Sequence, residues 1–190
     1  GTVHRTRAEL RCAADALASP RSWQLRSWLE DLEGQPVPLT EVEESASVRG
    51  NSVQVKWGAR SSTRRVPTPF TSNWSLFDAV QRLPAPAVPA LTFALLEDLD
   101  LLKEKQQLSY RETTEVEWDD GTVRLQGYQQ LGEGILPWHY WRDGARRLLF
   151  VVTGIRAYLW SPEAERRVEE LVEAARRRTR RRAGEGGSNP

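Results

Sequence analysis

The sequence predicts an α+β protein built on one large, curved antiparallel β-sheet, a half-barrel, with N-terminal, central and C-terminal helices packed on it. Short segments that alternate apolar and polar residues recur along the chain, as half-buried strands do. Dipeptides of Gly, Asn and Asp separate several of these segments and supply the positive φ angles of tight hairpin turns. A sheet of about ten such strands must curl or close to bury its apolar face.

Length and composition indicate one domain over residues 1–178, followed by an Arg- and Gly-rich tail at 179–190 that we expect to be disordered. The 190 residues are 39% apolar and include eight Trp, which is enough for a core. No apolar run approaches the roughly 18 residues of a membrane span, so we expect a soluble chain. The single cysteine, Cys12, allows no intramolecular disulfide.

The first predicted element is an N-terminal helix. Thr6 and Glu9 have the spacing of a capping box, and "SP" at 19–20 would end the helix. The apolar positions between these signals share one helical face: Leu10, Ala13, Ala14 and Leu17. This narrow, Ala-rich stripe predicts close packing of the helix on the sheet.

A long strand and a hairpin are predicted next. "SWQLRSWLEDLEG" indicates a strand with Trp23 and Leu25 on one side, and "EESASVRGNSVQVKWG" indicates a hairpin with a two-residue loop at Gly50-Asn51. This loop sets apolar residues opposite each other on one face, Val48 with Val53 and Ala46 with Val55. The polar neighbours then share the other face, as a half-buried hairpin requires.

A short central helix is predicted from "TSNWSLFDAVQRLP". Ser72 or Asn73 can cap it and Pro84 ends it. Its predicted buried side contains Trp74, Phe77 and Val80, with Leu76 and Leu83 as further candidates. The "PAPAVPA" stretch that follows is predicted to be extended and stiff, because apolar, strand-like sequence resumes at once.

The clearest hairpin signal is "LSYRETTEVEWDDGTVRLQGYQQL". A two-residue turn at Asp120-Gly121 separates the apolar from the polar residues. On the apolar face the turn pairs Trp118 with Val123, Val116 with Leu125, and Tyr110 with Leu131. On the polar face it pairs Glu117 with Arg124. The sequence therefore predicts an antiparallel hairpin with one solvated side.

A second hairpin is predicted from "PWHYWRDGARRLLFVV", around Asp143-Gly144. A three-residue loop pairs Trp138 with Phe150, Tyr140 with Leu148, and Leu136 with Val152; a two-residue loop would shift each partner by one. In either register both faces are apolar, which predicts cover on both sides of the sheet. "TGIRAYLW" predicts one further strand after a turn near Thr153-Gly154.

The C-terminal helix has clear start signals. Ser161 is placed to cap it, Pro162 occupies its first position, and Glu163 and Glu165 suit the positive end of the helix dipole. Its apolar stripe contains Val168, Leu171, Val172 and Ala175.

No catalytic, metal or cofactor signature emerges from the sequence. Two His and one Cys without HxH, HExxH or CxxC spacing do not make a typical zinc set. His139 is the one histidine within predicted structure, and as a general base it would need Asp143 or Glu133 to orient it. An enzyme centred on His139 is therefore an alternative, and a non-enzymatic protein is the main expectation.

Two binding hypotheses remain. A curved sheet too wide for its own side chains can hold an apolar guest, and the predicted lining of such a site is Tyr110, Trp118, Leu136, Trp138, Tyr140 and Phe150. The alternative is an adaptor for nucleic acid or an acidic partner, which would use Arg176, Arg177, Arg178, Arg180, Arg181 and Arg182. The net charge of +1 argues against nucleic acid.

The hairpins also carry a resemblance to a known family. Successive short strands, an embedded helix and the "GYQQLGEGILPWHYWRDGARRLLFVV" to "RAYLW" ending resemble bacterial cell-envelope proteins of the LolA/LolB-like lipoprotein-carrier type. The turn pattern shared with that type is approximated at Pro137, Tyr140, Asp143, Arg147 and Leu149. The resemblance spans residues 21 to 160. It implies an unclosed barrel with a helical lid, an extracytoplasmic location in the periplasm or cell envelope, and an apolar ligand such as a lipid, acyl chain or lipoprotein. No signal peptide is visible in the chain.

Overall fold

The computed structural model describes residues 2–84, 89–118 and 121–185; the side chains of residues 118, 179–180 and 182–185 are not part of that description. Within these ranges the chain forms strands and helices in the order β1 (Val3–Cys12), β2 (Pro20–Glu30), β3 (Val42–Arg49), β4 (Ser52–Trp57), β5 (Arg60–Arg65), β6 (Phe70–Ser72), α1 (Asn73–Arg82), β7 (Leu91–Glu97), β8 (Leu101–Trp118), β9 (Gly121–Gly132), β10 (Trp138–Arg142), β11 (Leu148–Thr153), β12 (Arg156–Leu159) and α2 (Ala164–Glu185).

The strands form two sheets. Strands β1 to β5 make an antiparallel meander, and the second sheet has the order β12-β11-β10-β9-β8-β7-β6. This seven-stranded sheet curls through 231° into a half-barrel. Its strands are antiparallel except for β6 and β7, which are parallel and joined through α1. The predicted α+β class with a large curved sheet is confirmed.

Strand β7 lies between two apolar clusters, because successive side chains of a strand point to opposite faces. Ala94 and Leu96 pack in a cluster with Trp23 and Val53 from the five-stranded sheet. Phe93 and Leu95 pack in the other cluster, which contains α1 and the concave face of the half-barrel. The two sheets are thus joined through buried apolar side chains on either side of one strand.

The central helix is confirmed. The Ser72 hydroxyl accepts a hydrogen bond from the Ser75 backbone N–H at 3.0 Å, as the predicted cap requires. Leu76 and Val80 are fully buried and turn α1 towards the concave face of the half-barrel. The "PAPAVPA" prediction falls mostly on residues 85–88, which lie outside the described residues.

The predicted N-terminal helix is wrong, because residues Val3–Cys12 form strand β1. Pairing with β2 sets Ala8 opposite Leu25 and Leu10 opposite Trp23, and burial alternates with period two from Arg7 to Cys12. The residues that completed the helical stripe lie beyond the strand in a turn, where the Asp15 carboxylate accepts the N–H groups of Leu17 and Ser19. Tertiary pairing with β2 outweighs the capping-box spacing here.

Of the three predicted hairpin registers, one agrees with the structure and two differ from it. The Gly50-Asn51 hairpin is confirmed, including the Val48–Val53 and Ala46–Val55 pairs, with Gly50 at φ +59°. In the β8–β9 hairpin Trp118 pairs with Gly121 and Val116 with Val123, so the predicted register is wrong by two residues. From Glu112 to the turn, a shift of two keeps each side chain on its predicted face, whereas Tyr110 changes face. A bulge after Tyr110 then sets Tyr110 opposite Tyr128 rather than Leu131.

The predicted β10–β11 register is wrong for both loop lengths. Trp138 pairs with Thr153 and Tyr140 with Val151, because the connection has five residues, 143–147. Asp143 holds this loop: its carboxylate accepts the backbone N–H of Arg147 at 2.8 Å. The register differs by three residues from the one predicted with a three-residue loop, so Phe150 moves from the predicted concave face to the convex face and Val151 takes the concave one.

The C-terminal helix is longer than predicted and packs differently. α2 continues to Glu185, so residues 179–185 are helical where a disordered tail was predicted; residues 186–190 lie outside the described ranges. Its predicted packing on the sheet through the apolar stripe is wrong for Val168 and Leu171, which are exposed. Arg176 instead reaches the loop after β2, where its guanidinium lies close to Gly34.

Candidate binding site on the concave face

The concave face of the half-barrel carries a group of stacked aromatic rings. Trp138 stacks on Tyr140 at a centroid distance of 6.2 Å and on Tyr158 at 6.0 Å. Phe77 of α1 meets the Tyr158 ring edge-on at 5.3 Å. Strand periodicity explains the arrangement, since Trp138 and Tyr140 are two residues apart and share one face of β10. The face is thus a platform of rings on which α1 lies.

A chain of neutral hydrogen bonds crosses this apolar face. The Tyr140 hydroxyl donates to Gln130 Oε1 at 2.8 Å, and Gln130 Nε2 donates to Gln106 Oε1 at 3.3 Å. All three side chains are buried. Desolvation raises the pKa of Tyr140 well above its usual value, with a smaller contribution from Tyr158. The phenol therefore remains protonated and acts as a neutral donor.

A buried arginine joins the sheet to the end of α1. Arg142 follows Tyr140 by two residues on β10 and is fully buried. Its Nη1 donates to the carbonyl oxygens of Val80 at 2.6 Å and Leu83 at 2.7 Å, and its Nε donates to Gln126 Oε1 at 2.9 Å. The last carbonyl groups of a helix have no partners within the helix, so this guanidinium satisfies two of them.

The described hydrogen-bond partners of the Arg142 guanidinium are all neutral, and no carboxylate is among them. Its guanidinium carbon lies 5.0 Å from the ring centre of Tyr128, and Nη2 is buried with no hydrogen-bond partner in the described part of the chain. Desolvation lowers the pKa of Arg142. The adjacent Asp143 does not compensate, because its carboxylate binds Arg147. The contact between α1 and the sheet therefore includes a buried cation that only neutral groups solvate.

Three of the six predicted lining residues lie on the concave side. Trp138 and Tyr140 are buried in the cluster around α1, and the partly buried Tyr110 packs against it, 5.6 Å edge-on from Tyr128. The structure brings these three together through strand pairing. Their side chains pack against other side chains of the cluster around α1.

The other three predicted residues are placed elsewhere or are not described. Leu136 is 65% exposed in the loop before β10. Phe150 lies on the convex face, where it stacks on Trp141 at 5.9 Å. The side chain of Trp118 lies outside the description. Phe150 is predicted on the concave face from a β10–β11 loop of three residues, whereas the loop has five.

The residues that sequence reasoning missed are Arg142 and the residues of α1 that it holds. The signal was present in "WHYWR", because alternation places Trp138, Tyr140 and Arg142 on one face. A charge at an inward position of an apolar strand is informative, since a buried charge must find partners. Its partners are backbone carbonyls, which no side-chain pattern reveals.

The concave face is filled, while open grooves lie elsewhere. Leu76, Val80 and Tyr140 have no exposed surface, so α1 occupies the concavity. A groove of about 540 Å³ lies on the five-stranded sheet and is lined mainly by charged and polar side chains, among them Arg7, Glu9, Arg26, Glu43 and Lys56. Its composition does not suit an apolar guest.

The acidic residues predicted to orient His139 in an enzyme, Asp143 and Glu133, bind other side chains. The imidazole Nε2 lies 3.5 Å from Gln129 Nε2. Asp143 binds Arg147, and Glu133 binds Lys105 at 2.7 Å. Among the described residues no group of three or more His, Cys, Asp or Glu side chains is placed to bind a metal ion.

The Arg cluster of the adaptor hypothesis lies on the second half of α2. Arg177, Arg178 and Arg181 are exposed, and Arg176 is half-buried. The side chains of Arg180 and Arg182 lie outside the description. The cluster is therefore presented on a helix rather than on a disordered tail.

The comparisons with known proteins give no relative. No protein-family model, curated protein or solved structure matches the chain. Within residues 2–84, 89–118 and 121–185, neither helix has the length and apolar character needed to cross a bilayer.

Proposed function

We propose that this protein is a non-enzymatic carrier of the bacterial cell envelope that binds an apolar ligand, such as a lipid, an acyl chain or the acyl groups of a lipoprotein, on the concave face of the half-barrel. In the structure α1 occupies that face, so the ligand takes the place of α1, which acts as a lid. The observation that carries the proposal is the aromatic concave face covered by one ten-residue helix. The resemblance of the hairpins to lipoprotein carriers supports the same function.

The exchange of α1 for a long acyl chain is energetically reasonable. The large apolar side chains of α1 and its C-cap that are deeply buried are Leu76, Val80 and Leu83, and exposing them costs roughly 5–9 kcal/mol at about 1.5–3 kcal/mol each. A saturated chain of about sixteen carbons gains roughly 12 kcal/mol on burial, at about 0.8 kcal/mol per methylene. A long chain can therefore displace the lid, whereas a chain of about six carbons cannot.

Arg142 makes the short hydrogen bonds that hold the C-terminal end of the lid. It donates to two carbonyl groups at the C-terminal end of α1 from a strand of the sheet. These bonds run from the half-barrel to α1 and are not internal to α1. They must therefore break when the lid leaves. Their loss should favour the open form.

The first experiment looks for a bound ligand. The full chain is purified from a bacterial host, extracted with organic solvent and analysed by mass spectrometry. We expect a stoichiometric lipid or long-chain fatty acid. The delipidated protein should bind an apolar fluorescent dye, and a sixteen-carbon fatty acid should displace the dye. Neither co-purifying lipid nor dye binding would contradict the proposal.

The second experiment links binding to the lid. Arg142→Met should bind the dye faster and more tightly than the wild type, because the closed form has lost its contact with α1. Gly127→Ala is the control, since Gly127 contacts Trp141 on the convex face and the variant should be less stable without a change in the lid. If Arg142→Met and Gly127→Ala bound the dye equally, the effect would come from general instability. That result would contradict the proposal that α1 acts as a lid.

A further inference from the structure

Helix α2 presents apolar side chains to solvent. Val168 is 48% exposed and Leu171 66% exposed, although their spacing places them on one side of the helix. Leu159 at the end of β12 and the following Trp160 are exposed too, and the Arg147 guanidinium lies 5.0 Å from the centre of the Trp160 ring. Exposed apolar side chains that adjoin each other, as Val168 and Leu171 do, mark an interaction surface more often than isolated ones do.

The charges of α2 divide the helix into two halves. In the first half the arginines have carboxylate partners, and Arg166 binds both Glu163 and Glu170. From residue 176 to residue 182 there are six arginines and no carboxylate. The second half of α2 is therefore strongly cationic, although Arg176 and Arg177 pair with Glu173, while the first half has four Glu and two Arg and is weakly acidic.

One arginine of the cationic end, Arg178, lies on the same side of the helix as Val168 and Leu171. Arg178 follows Leu171 by seven residues, which is almost two turns, and both side chains are exposed. Arg181 is exposed one turn further on. We call the surface of Val168, Leu171 and Arg178 the basic–apolar face, and Arg181 belongs to the cationic end of the helix beside it.

We propose that the basic–apolar face docks the protein onto an anionic lipid bilayer, with α2 lying in the plane of the interface. Arginine attracts the phosphate groups of anionic lipids, and the exposed Leu171 and Val168 enter the boundary between headgroups and acyl chains. A nucleic acid would account for the arginines alone and leaves the exposed apolar side chains without a role. The proposal is independent of the carrier function.

The test uses the full chain and sedimentation with lipid vesicles. We expect binding to vesicles with about one-third phosphatidylglycerol in phosphatidylcholine, and much weaker binding to pure phosphatidylcholine. Binding to the anionic vesicles should weaken as salt increases, because salt screens the arginines. Equal binding to both vesicles, or binding to neither, would overturn the proposal.

Two variants separate the charges from the apolar contacts. Arg178→Gln/Arg181→Gln should weaken binding to the anionic vesicles roughly twenty-five-fold, since each cation near an anionic surface contributes roughly fivefold. Leu171→Gln should weaken binding several-fold at all salt concentrations. The matched controls are Arg65→Gln and Leu101→Gln, two exposed positions on β5 and β8 that should not change binding. Circular dichroism checks that α2 remains helical.

A duplex DNA oligonucleotide is the competing partner. If the protein binds the duplex with a steep salt dependence and does not sediment with anionic vesicles, the face serves nucleic acid and the proposal is wrong. If Leu171→Gln leaves vesicle binding unchanged, attraction is electrostatic only and the proposed insertion of the apolar residues is wrong.

Discussion

Replacing Arg142 by methionine tests whether this side chain holds α1 to the half-barrel. Methionine is close in length and apolar, so it fills the buried space but donates no hydrogen bond. The change removes the bonds to the carbonyl oxygens of Val80 and Leu83 and to Gln126. Both carbonyl groups then lose a charged donor in a site that water does not reach in the closed form.

The magnitude follows from the groups left without a partner. A buried carbonyl that loses its donor costs about 1–3 kcal/mol, and two carbonyls are affected. The gain from removing a buried cation offsets part of this cost, since Arg142 has no carboxylate partner among its described contacts. We expect Arg142→Met to lower the free energy of unfolding by about 3 kcal/mol.

Urea denaturation followed by circular dichroism measures this loss. The control is Arg82→Met, which breaks an exposed ion pair with Asp78 on the same helix and should cost less than about 0.5 kcal/mol. Losses of the same small size in the two variants would refute the reasoning, because the buried carbonyl groups would then have found other donors.

Two further predictions concern the two faces of β10. Gly127→Ala should lower the free energy of unfolding by about 1–3 kcal/mol, because the new Cβ would lie 2.8 Å from the Trp141 ring. Gly144→Ala meets nothing within 4 Å and is the control; equal losses in urea denaturation would contradict the clash. Burial raises the pKa of Tyr140, so its contribution to stability is complete below about pH 10 and is lost as the pH rises further, when the unfolded chain ionises first. In Tyr140→Phe the free energy of unfolding should fall less steeply with pH above about pH 10 than in the wild type. The same slope in both proteins would contradict this prediction.

The sequence predicts the curved sheet because its strongest signals are local. The Gly50-Asn51 loop and the alternation on either side of it determine both the turn and the register of β3 and β4. The cap at Ser72 determines the start of α1 in the same way. Each of these features depends on residues within one hairpin or one helical turn, so no knowledge of distant contacts is needed.

Features that depend on distant partners could not be predicted. β1 is a strand because β2 pairs with it, although Thr6 and Glu9 have helix-capping spacing. Phe150 lies on the convex face because Asp143 closes a five-residue loop, a length that "RDGARR" does not reveal. Arg142 belongs to the candidate site through backbone carbonyls of a helix about sixty residues earlier in the chain, and the sequence carries no pattern for such a contact.

The two ends of α1 are held unequally, which indicates where the lid would open. At its start Asn73 forms a reciprocal pair with the turn after β7: its Nδ2 donates to Asp98 Oδ1, and its Oδ1 accepts the Asp98 backbone N–H, both at 2.9 Å. At its end Gln81 accepts a longer bond of 3.3 Å from the Leu148 N–H, and Arg142 makes the short ones. Loss of Arg142 should therefore release the C-terminal end first. In Arg142→Met we expect hydrogen exchange to rise at residues 79–83 while the amides near Asn73 stay protected; a uniform rise along α1 would mean that the helix unfolds as one unit and does not swing as a lid.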